Sequence, residues 1–234
     1  IGPFFRSKEI IHSNIKRAFP KINTSDLKKM TRKMWNNYGR VFAEYMFIKN
    51  FRYGHLAANI KIEGQEILDD IKNKNEQVVF VSGHFSNFEL MALTLEKNGI
   101  KLLTIYRPLN NVFLNRIMEG IRKKYICKNQ IKKGVGGLKK LLYLKKNNFS
   151  TALMIDQRVS ECILSNFFNQ KASTTTIPAQ LIKKFSINIV PVYIERINGL
   201  NFKIIINDPL NFRKEASNQD ITDKLNQILE GMII

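Results

Sequence analysis

Long apolar runs are missing from this sequence: no stretch approaches the roughly eighteen consecutive residues that a membrane-spanning helix needs. Cysteine is scarce, with only two in 234 residues. Cys127 and Cys162 show neither CxxC spacing nor the density of a disulfide-stapled domain, so a reduced, cytosolic setting is expected. Carboxylates are few, 19 against 38 lysines and arginines, which leaves a formal charge of +19. Such a field attracts an anionic partner: nucleic acid, an anionic membrane surface, or an acidic protein or substrate. No RNA-recognition aromatic signature, zinc-ligand spacing or basic zipper is present, so nucleic acid is not expected to be that partner. Neither a metal nor a cofactor is expected. No signal-peptide pattern opens the chain. It begins Ile1-Gly2-Pro3 and stops at Gly231-Met232-Ile233-Ile234 within a helical pattern, and a fragment truncated at both ends is expected.

What is present is ordinary globular material, 44% apolar and long enough for one well-buried core. Residues 7–19 predict an amphipathic helix ended by Pro20. A longer helix is expected from a cap at Thr24-Ser25-Asp26, with the apolar stripe Leu27, Met30, Met34, Tyr38, Val41, Tyr45 and Ile48. Its basic back suits either a membrane surface or plain solvation. Strands are predicted at 56–63, 77–82, 101–106, 151–155, 163–168, 188–195 and 202–206. Helices are predicted at 65–72, 85–97, 112–123, 136–147 and 176–185, and from about 217 onward. Alternating strands and helices define an α/β class with a mostly parallel central sheet flanked by helices, closed by a hairpin-like strand pair. The organisation expected is a helical N-terminal arm over 1–54 packing on an α/β core over 55–234, with no repeat or low-complexity linker.

The most informative stretch is 77–89, a buried strand running into Gly83-His84-Phe85-Ser86-Asn87-Phe88-Glu89. His84 is expected at the carboxyl end of that strand, where ligands bind in open α/β sheets. Glu89 lies five residues on, about 140° round a helix, so the two meet only if His84 sits outside the helix and Glu89 reaches back. That is the arrangement of a base oriented by a carboxylate. Two further strands end in polar groups, Arg107-Pro108 and Asp156-Gln157-Arg158, and all three are expected at one sheet edge. His12 and His55 are expected to be solvated.

Gly83-His84-Phe85-Ser86-Asn87-Phe88-Glu89, Tyr106-Arg107-Pro108-Leu109-Asn110-Asn111, Asp156-Gln157 and Phe167-Phe168 occur in this order and at these intervals. Together they resemble the lipid A biosynthesis acyltransferases, the lauroyl/myristoyl transferases of the lysophospholipid acyltransferase superfamily with its His-x-x-x-x-Asp/Glu motif. The resemblance runs nearly the whole chain. It lacks the family's usual membrane-associated first helix and its aromatic, arginine-rich tail, and Asn169 stands where Gly commonly follows Phe-Phe.

The resemblance implies transfer of a fatty acyl group from acyl carrier protein to a hydroxyl of a lipid A precursor at the cytoplasmic face of the inner membrane. His84 would serve as general base and Glu89 would orient it. Asn87 would shape the turn near the oxyanion site. Arg107, Asn110, Arg122, Asp156 and Gln157 would bind substrate, the arginines through phosphate groups. Asp156 is expected to pair with one of those arginines. Alternatives keeping the same dyad are a glycerophospholipid or glycolipid acceptor, and a non-catalytic alternative is a basic membrane- or nucleic-acid-binding protein. The basic clusters around Lys16–Lys33 and Arg122–Lys146 would steer an acidic carrier protein and an anionic glycolipid toward an anionic inner-membrane surface.

Overall fold

The structure is a computed structural model, described over residues 7–106, 108–132, 143–157, 162–213 and 215–234. Helix α1 (Lys8–Ala18) starts where Ser7 accepts from the Ile10 amide, and it carries Lys16 and Arg17 in its last turn, opposite the negative end of its dipole. Helix α2 (Thr24–Glu44) takes its cap from Asn23, whose side chain accepts from the Asp26 amide at 2.9 Å, one residue before the expected cap. Of the expected stripe, Leu27, Tyr45 and Ile48 are buried, whereas Tyr38 stands out in solvent. A 3-10 turn, Tyr45–Phe47, leads into the short α3 (Ile48–Tyr53).

From there strands and helices alternate: β1 (Ile60–Glu63), α4 (Gln65–Asn73), β2 (Val78–Ser82), α5 (Phe88–Lys97), β3 (Leu102–Tyr106), α6 (Val112–Ile121) and β4 (Asn129–Lys132). Next come β5 (Ser150–Met154), β6 (Cys162–Phe167), β7 (Gln170–Thr175), α7 (Ile177–Phe185), β8 (Asn188–Asn198), β9 (Asn201–Ile206) and α8 (Asn218–Ile233). Among the described residues, seven strands form one sheet in the order β1-β9-β8-β2-β5-β3-β4, parallel except for the β8–β9 hairpin. β6 and β7 make a separate antiparallel hairpin.

β2 sits near the middle, and every one of its residues is buried. Its alternation splits the core in two. Val78 and Phe80 pack among residues of α3, α4 and α5, including Phe51, Leu68 and Met91. Val79 and Val81 pack among those of α7 and α8, including Leu181, Ile221 and Leu225. A sheet covered by helices on both faces leaves its strand ends as the place where polar groups can gather.

Several expectations shift. The first half of the strand predicted at 56–63 is a 3-10 turn, His55–Asn59, and only Ile60–Glu63 pairs. The turn expected at Asn169-Gln170-Lys171 is Phe168-Asn169, both at positive φ, so Gln170 and Lys171 already belong to β7. β4 was not foreseen. The helix predicted over 136–147 lies largely outside the described residues, as do Arg107 and Arg158.

Gly64, between β1 and α4, has φ +84°, and a Cβ there would lie 2.3 Å from the Ile206 backbone oxygen. Neither atom sits on a flexible side chain. Gly64→Ala is therefore expected to cost roughly 3 kcal/mol or more, read as a lower urea midpoint in equilibrium unfolding.

Candidate active site

The site follows from strand register. β2 and β5 are parallel neighbours with Ser82 opposite Met154, and the Ile155 amide donates to the Ser82 carbonyl at 2.9 Å. Two residues beyond that pairing, on the two strands alike, lie His84 and Asp156. They meet: His84 Nδ1 and Asp156 Oδ1 are 2.6 Å apart, and the His84 amide donates to Asp156 Oδ2 at 2.8 Å. Gln157 brings its amide nitrogen to 3.3 Å from His84 Nε2. A proton on Nδ1 satisfies both ring contacts, since Nδ1–H then donates to Asp156 and Nε2 accepts from Gln157. The ring also stands edge-on to Phe88, at 4.7 Å between centroids. Both side chains are partly open to solvent. Burial pushes the Asp156 carboxyl up, but the hydrogen bonds and charge of His84 outweigh it and hold the group below its ordinary value.

Asp156 thus pairs with His84, and with no arginine among the described residues, outside which Arg107 lies. Glu89 is engaged elsewhere. It accepts from the Tyr45 hydroxyl and from Arg122 Nε and Nη2, at 2.9 and 2.6 Å, and Arg122 Nε also reaches the Tyr45 oxygen at 2.8 Å. No hydrogen bond joins Glu89 to His84 among the described residues. The helical offset accords with this: Glu89 lies in the first turn of α5 and reaches the turn after α2 and the end of α6. Burial, then the charge of Glu89, raise the Tyr45 phenol, so it remains a donor.

The turn between β2 and α5 is braced from the arm. Asn87 donates to Glu44 Oε2 at 2.8 Å, and Arg196 of β8 grips both oxygens of that carboxylate, at 2.5 and 3.0 Å. Asn37 of α2 donates to the Ser86 carbonyl at 3.0 Å, holding a residue at φ +46°. Asn87, Glu44 and the Arg196 side chain are largely withdrawn from water. Asn87 spends its amide on Glu44 and makes no cap bond to α5. The first amides of that helix therefore have no side-chain cap, although the Leu90 amide donates to the Asn87 carbonyl at 3.0 Å.

At the third strand end, Tyr106 donates to Glu119 at 2.6 Å and Asn115 donates to the same oxygen at 2.8 Å. Those two bonds, Tyr106 first, hold the Glu119 carboxyl down to about 2, while burial and then Glu119 push the Tyr106 phenol up to about 12. A carboxyl lowered on folding adds stability above its ordinary value near 4.5 and loses it as pH falls toward 2. The Glu119→Gln variant is expected to show a flatter loss of urea midpoint across that acid window than the parent. Asn110 lies exposed in the turn before α6, whereas its neighbour Asn111 caps the helix, accepting from the Leu114 amide at 3.0 Å. An open groove of about 690 Å³ between α1 and α2, lined by Phe19, Ile22, Met30, Lys21, Lys29 and Lys33, touches none of His84, Glu89 or Asp156.

Sequence reasoning missed Tyr45, Glu44 and Arg196 as supports of the site. Tyr45 carried only a core signal, as one step of the α2 stripe, and nothing local marks Arg196 in a strand more than a hundred residues away.

A helix-covered, mostly parallel sheet with a histidine–carboxylate pair at its strand ends has the architecture of an acyltransferase. The model of the bacterial lipid A biosynthesis acyltransferase family matches residues 1–234, and the chain belongs to that family. No curated protein matches it. No helix among the described residues is long and apolar enough to cross a membrane.

Proposed function

We propose that this chain moves a fatty acyl group from the thioester of an acyl carrier protein to a hydroxyl of a lipid A precursor, by direct attack of the acceptor oxygen. Family membership supports the reaction class. The contact of 2.6 Å between His84 Nδ1 and Asp156 Oδ1 is the observation that carries the residue roles.

With Nδ1–H held by Asp156, the lone pair on Nε2 is free to take a proton, and an incoming hydroxyl displaces the Gln157 amide from it. A neutral imidazole is suited to that task near neutral pH. As the hydroxyl oxygen attacks the thioester carbonyl, His84 Nε2 accepts its proton and Asp156 stabilises the imidazolium. The tetrahedral oxyanion is met by the uncapped first-turn amides of α5, at the positive end of its dipole. Collapse forms the ester and breaks the carbon–sulfur bond, and His84 returns the proton to the departing thiolate. Arg122, fixed by Glu89 and Tyr45, carries the positive charge that faces phosphate on the acceptor or on the carrier's prosthetic arm. Arg107 is proposed to share that role.

The test is acyl transfer from a panel of carrier-protein thioesters to a lipid A precursor, with lysophosphatidate as competing acceptor. Selective acylation of the lipid A precursor is expected. Transfer to lysophosphatidate alone would keep the chemistry and overturn the acceptor.

A further inference from the structure

Helix α6 divides its apolar residues between core and solvent. Amphipathic surface helices turn their apolar stripe to the core, and Met118 and Ile121 do pack against it, but polar side chains share that inward side. Asn115, Glu119 and Arg122 bond to Leu109, Tyr106, Glu89 and Tyr45. None of the ten residues of α6 is buried, and its outward face carries Phe113, Val112 and Ile117 at 85%, 77% and 61% exposure. A second exposed apolar group follows the same pattern on α2 and the turn after it, where Phe42 and Met46 are 65% and 78% exposed and Phe47 joins them. The bonds of Arg122 to Tyr45 and Glu89 join the end of α6 to the turn after α2 at the Glu89 cluster.

Isolated exposed apolar side chains need no explanation, but six on α6, α2 and the turn after α2 mark an interaction surface. The charge around it identifies the occupant. The carboxylates of α2 and α6 are Asp26, Glu44 and Glu119. Asp26 is taken by the α2 cap, Glu44 by Arg196 and Glu119 by Tyr106 and Asn115. The exposed charge on these elements and the π-turn after α6 (Arg122–Ile126) is basic: Arg40, Arg116, Lys123 and Lys124, with Lys49 following on α3. Apolar side chains ringed by cations, on helices too polar to span a bilayer, suit insertion into an anionic lipid surface.

We propose that Phe113, Ile117, Val112, Phe42, Met46 and Phe47 form a face that docks the protein on an anionic bilayer and opens the His84 site toward the lipid. This rests on the acyltransferase reading only for what the docked site does, and binding itself is independent of it.

The experiment is co-sedimentation of the chain with vesicles of phosphatidylethanolamine and phosphatidylglycerol, and with phosphatidylcholine alone. The parent is expected to partition onto the anionic vesicles, less so at high salt. The Phe113→Ser/Ile117→Ser and Phe42→Ser/Met46→Ser variants are each expected to lose at least about tenfold in partitioning. Ile197→Ser/Leu200→Ser, exposed apolar changes at the β8–β9 turn, is expected to leave it unaltered. Lys123→Glu/Lys124→Glu should lower the anionic preference. Parent-like partitioning of both apolar variants would overturn the proposal. So would a fall in sedimenting mass without a change in vesicle binding, which would assign the face to a second copy. Turnover distinguishes the two readings. Docking variants should keep parental rates on a detergent-dispersed acceptor and lose them on a vesicle-borne one. Absence of transfer with any acceptor would sink the enzymatic reading alone, since the vesicle comparison still decides the docking face.

Discussion

Asp156→Asn is expected to lower kcat by about a thousandfold or more while shifting thermal unfolding little. The reasoning is one of tautomers. Asp156 accepts twice, from the His84 amide and from Nδ1–H. Asparagine has one oxygen to offer. If that oxygen keeps the backbone amide, its NH₂ faces Nδ1, which must then become an acceptor, and the proton moves to Nε2. The lone pair that would take the hydroxyl proton is gone, although the ring has scarcely moved. KM should change little, because neither atom of the contact is expected to hold substrate in the ground state. His84→Ala should show a comparable loss. The stability cost of Asp156→Asn should stay near 1 kcal/mol, that of one altered hydrogen bond, checked by circular dichroism melting. If Asp156→Asn keeps parental turnover while Glu89→Gln abolishes it, the orienting carboxylate is Glu89 and the pairing with Asp156 is structural.

Glu89 itself is expected to behave differently. Its carboxylate and the Arg122 guanidinium are largely buried, and the pair is completed by the Tyr45 hydroxyl. Removing one member of a buried pair leaves the other charged and unmatched, which typically costs about 3–5 kcal/mol. Glu89→Ala should therefore lower the urea midpoint clearly, with inactivity arising partly from unfolding. The informative variant is the double replacement Glu89→Gln/Arg122→Met, in which no charge is stranded. Most of the stability is expected to return. If turnover stays low and the loss falls on KM for the phosphorylated acceptor, Arg122 is a phosphate ligand fixed by Glu89. Recovery of full turnover alongside stability would leave the cluster a purely architectural role.

The class of fold was legible because most of its strands and helices are locally consistent. The VVFVS run of β2, the stop at Gly83 and the apolar spacing of α5 place His84 at a strand end without any tertiary information. Its partner was not legible. Glu89 is close in sequence and Asp156 is remote, and only the knowledge that β5 lies beside β2 brings the latter within reach. Strand order is set by how crossovers pack, which no local pattern records. β4 was missed for a related reason: its residues Asn129-Gln130-Ile131-Lys132 carry one apolar side chain, and it exists because β3 offers it a free edge. The exposed face of α6 was hidden in plain composition, since an apolar stripe looks the same whether it faces core or solvent.

The grip of Arg196 on Glu44, and of Glu44 on Asn87, bears on how such a protein can be re-engineered. The first helices look like a detachable adaptor, exchangeable between relatives. They are not interchangeable parts. A chimaera that imports a foreign α2 without an acid at position 44 strands Arg196 in the interior and releases the turn carrying His84. The seam of any graft therefore belongs before position 44, or the donor helix must bring its own carboxylate at 44 and its own phenol at 45. Without them, a change meant only for the arm would also loosen the turn that carries His84.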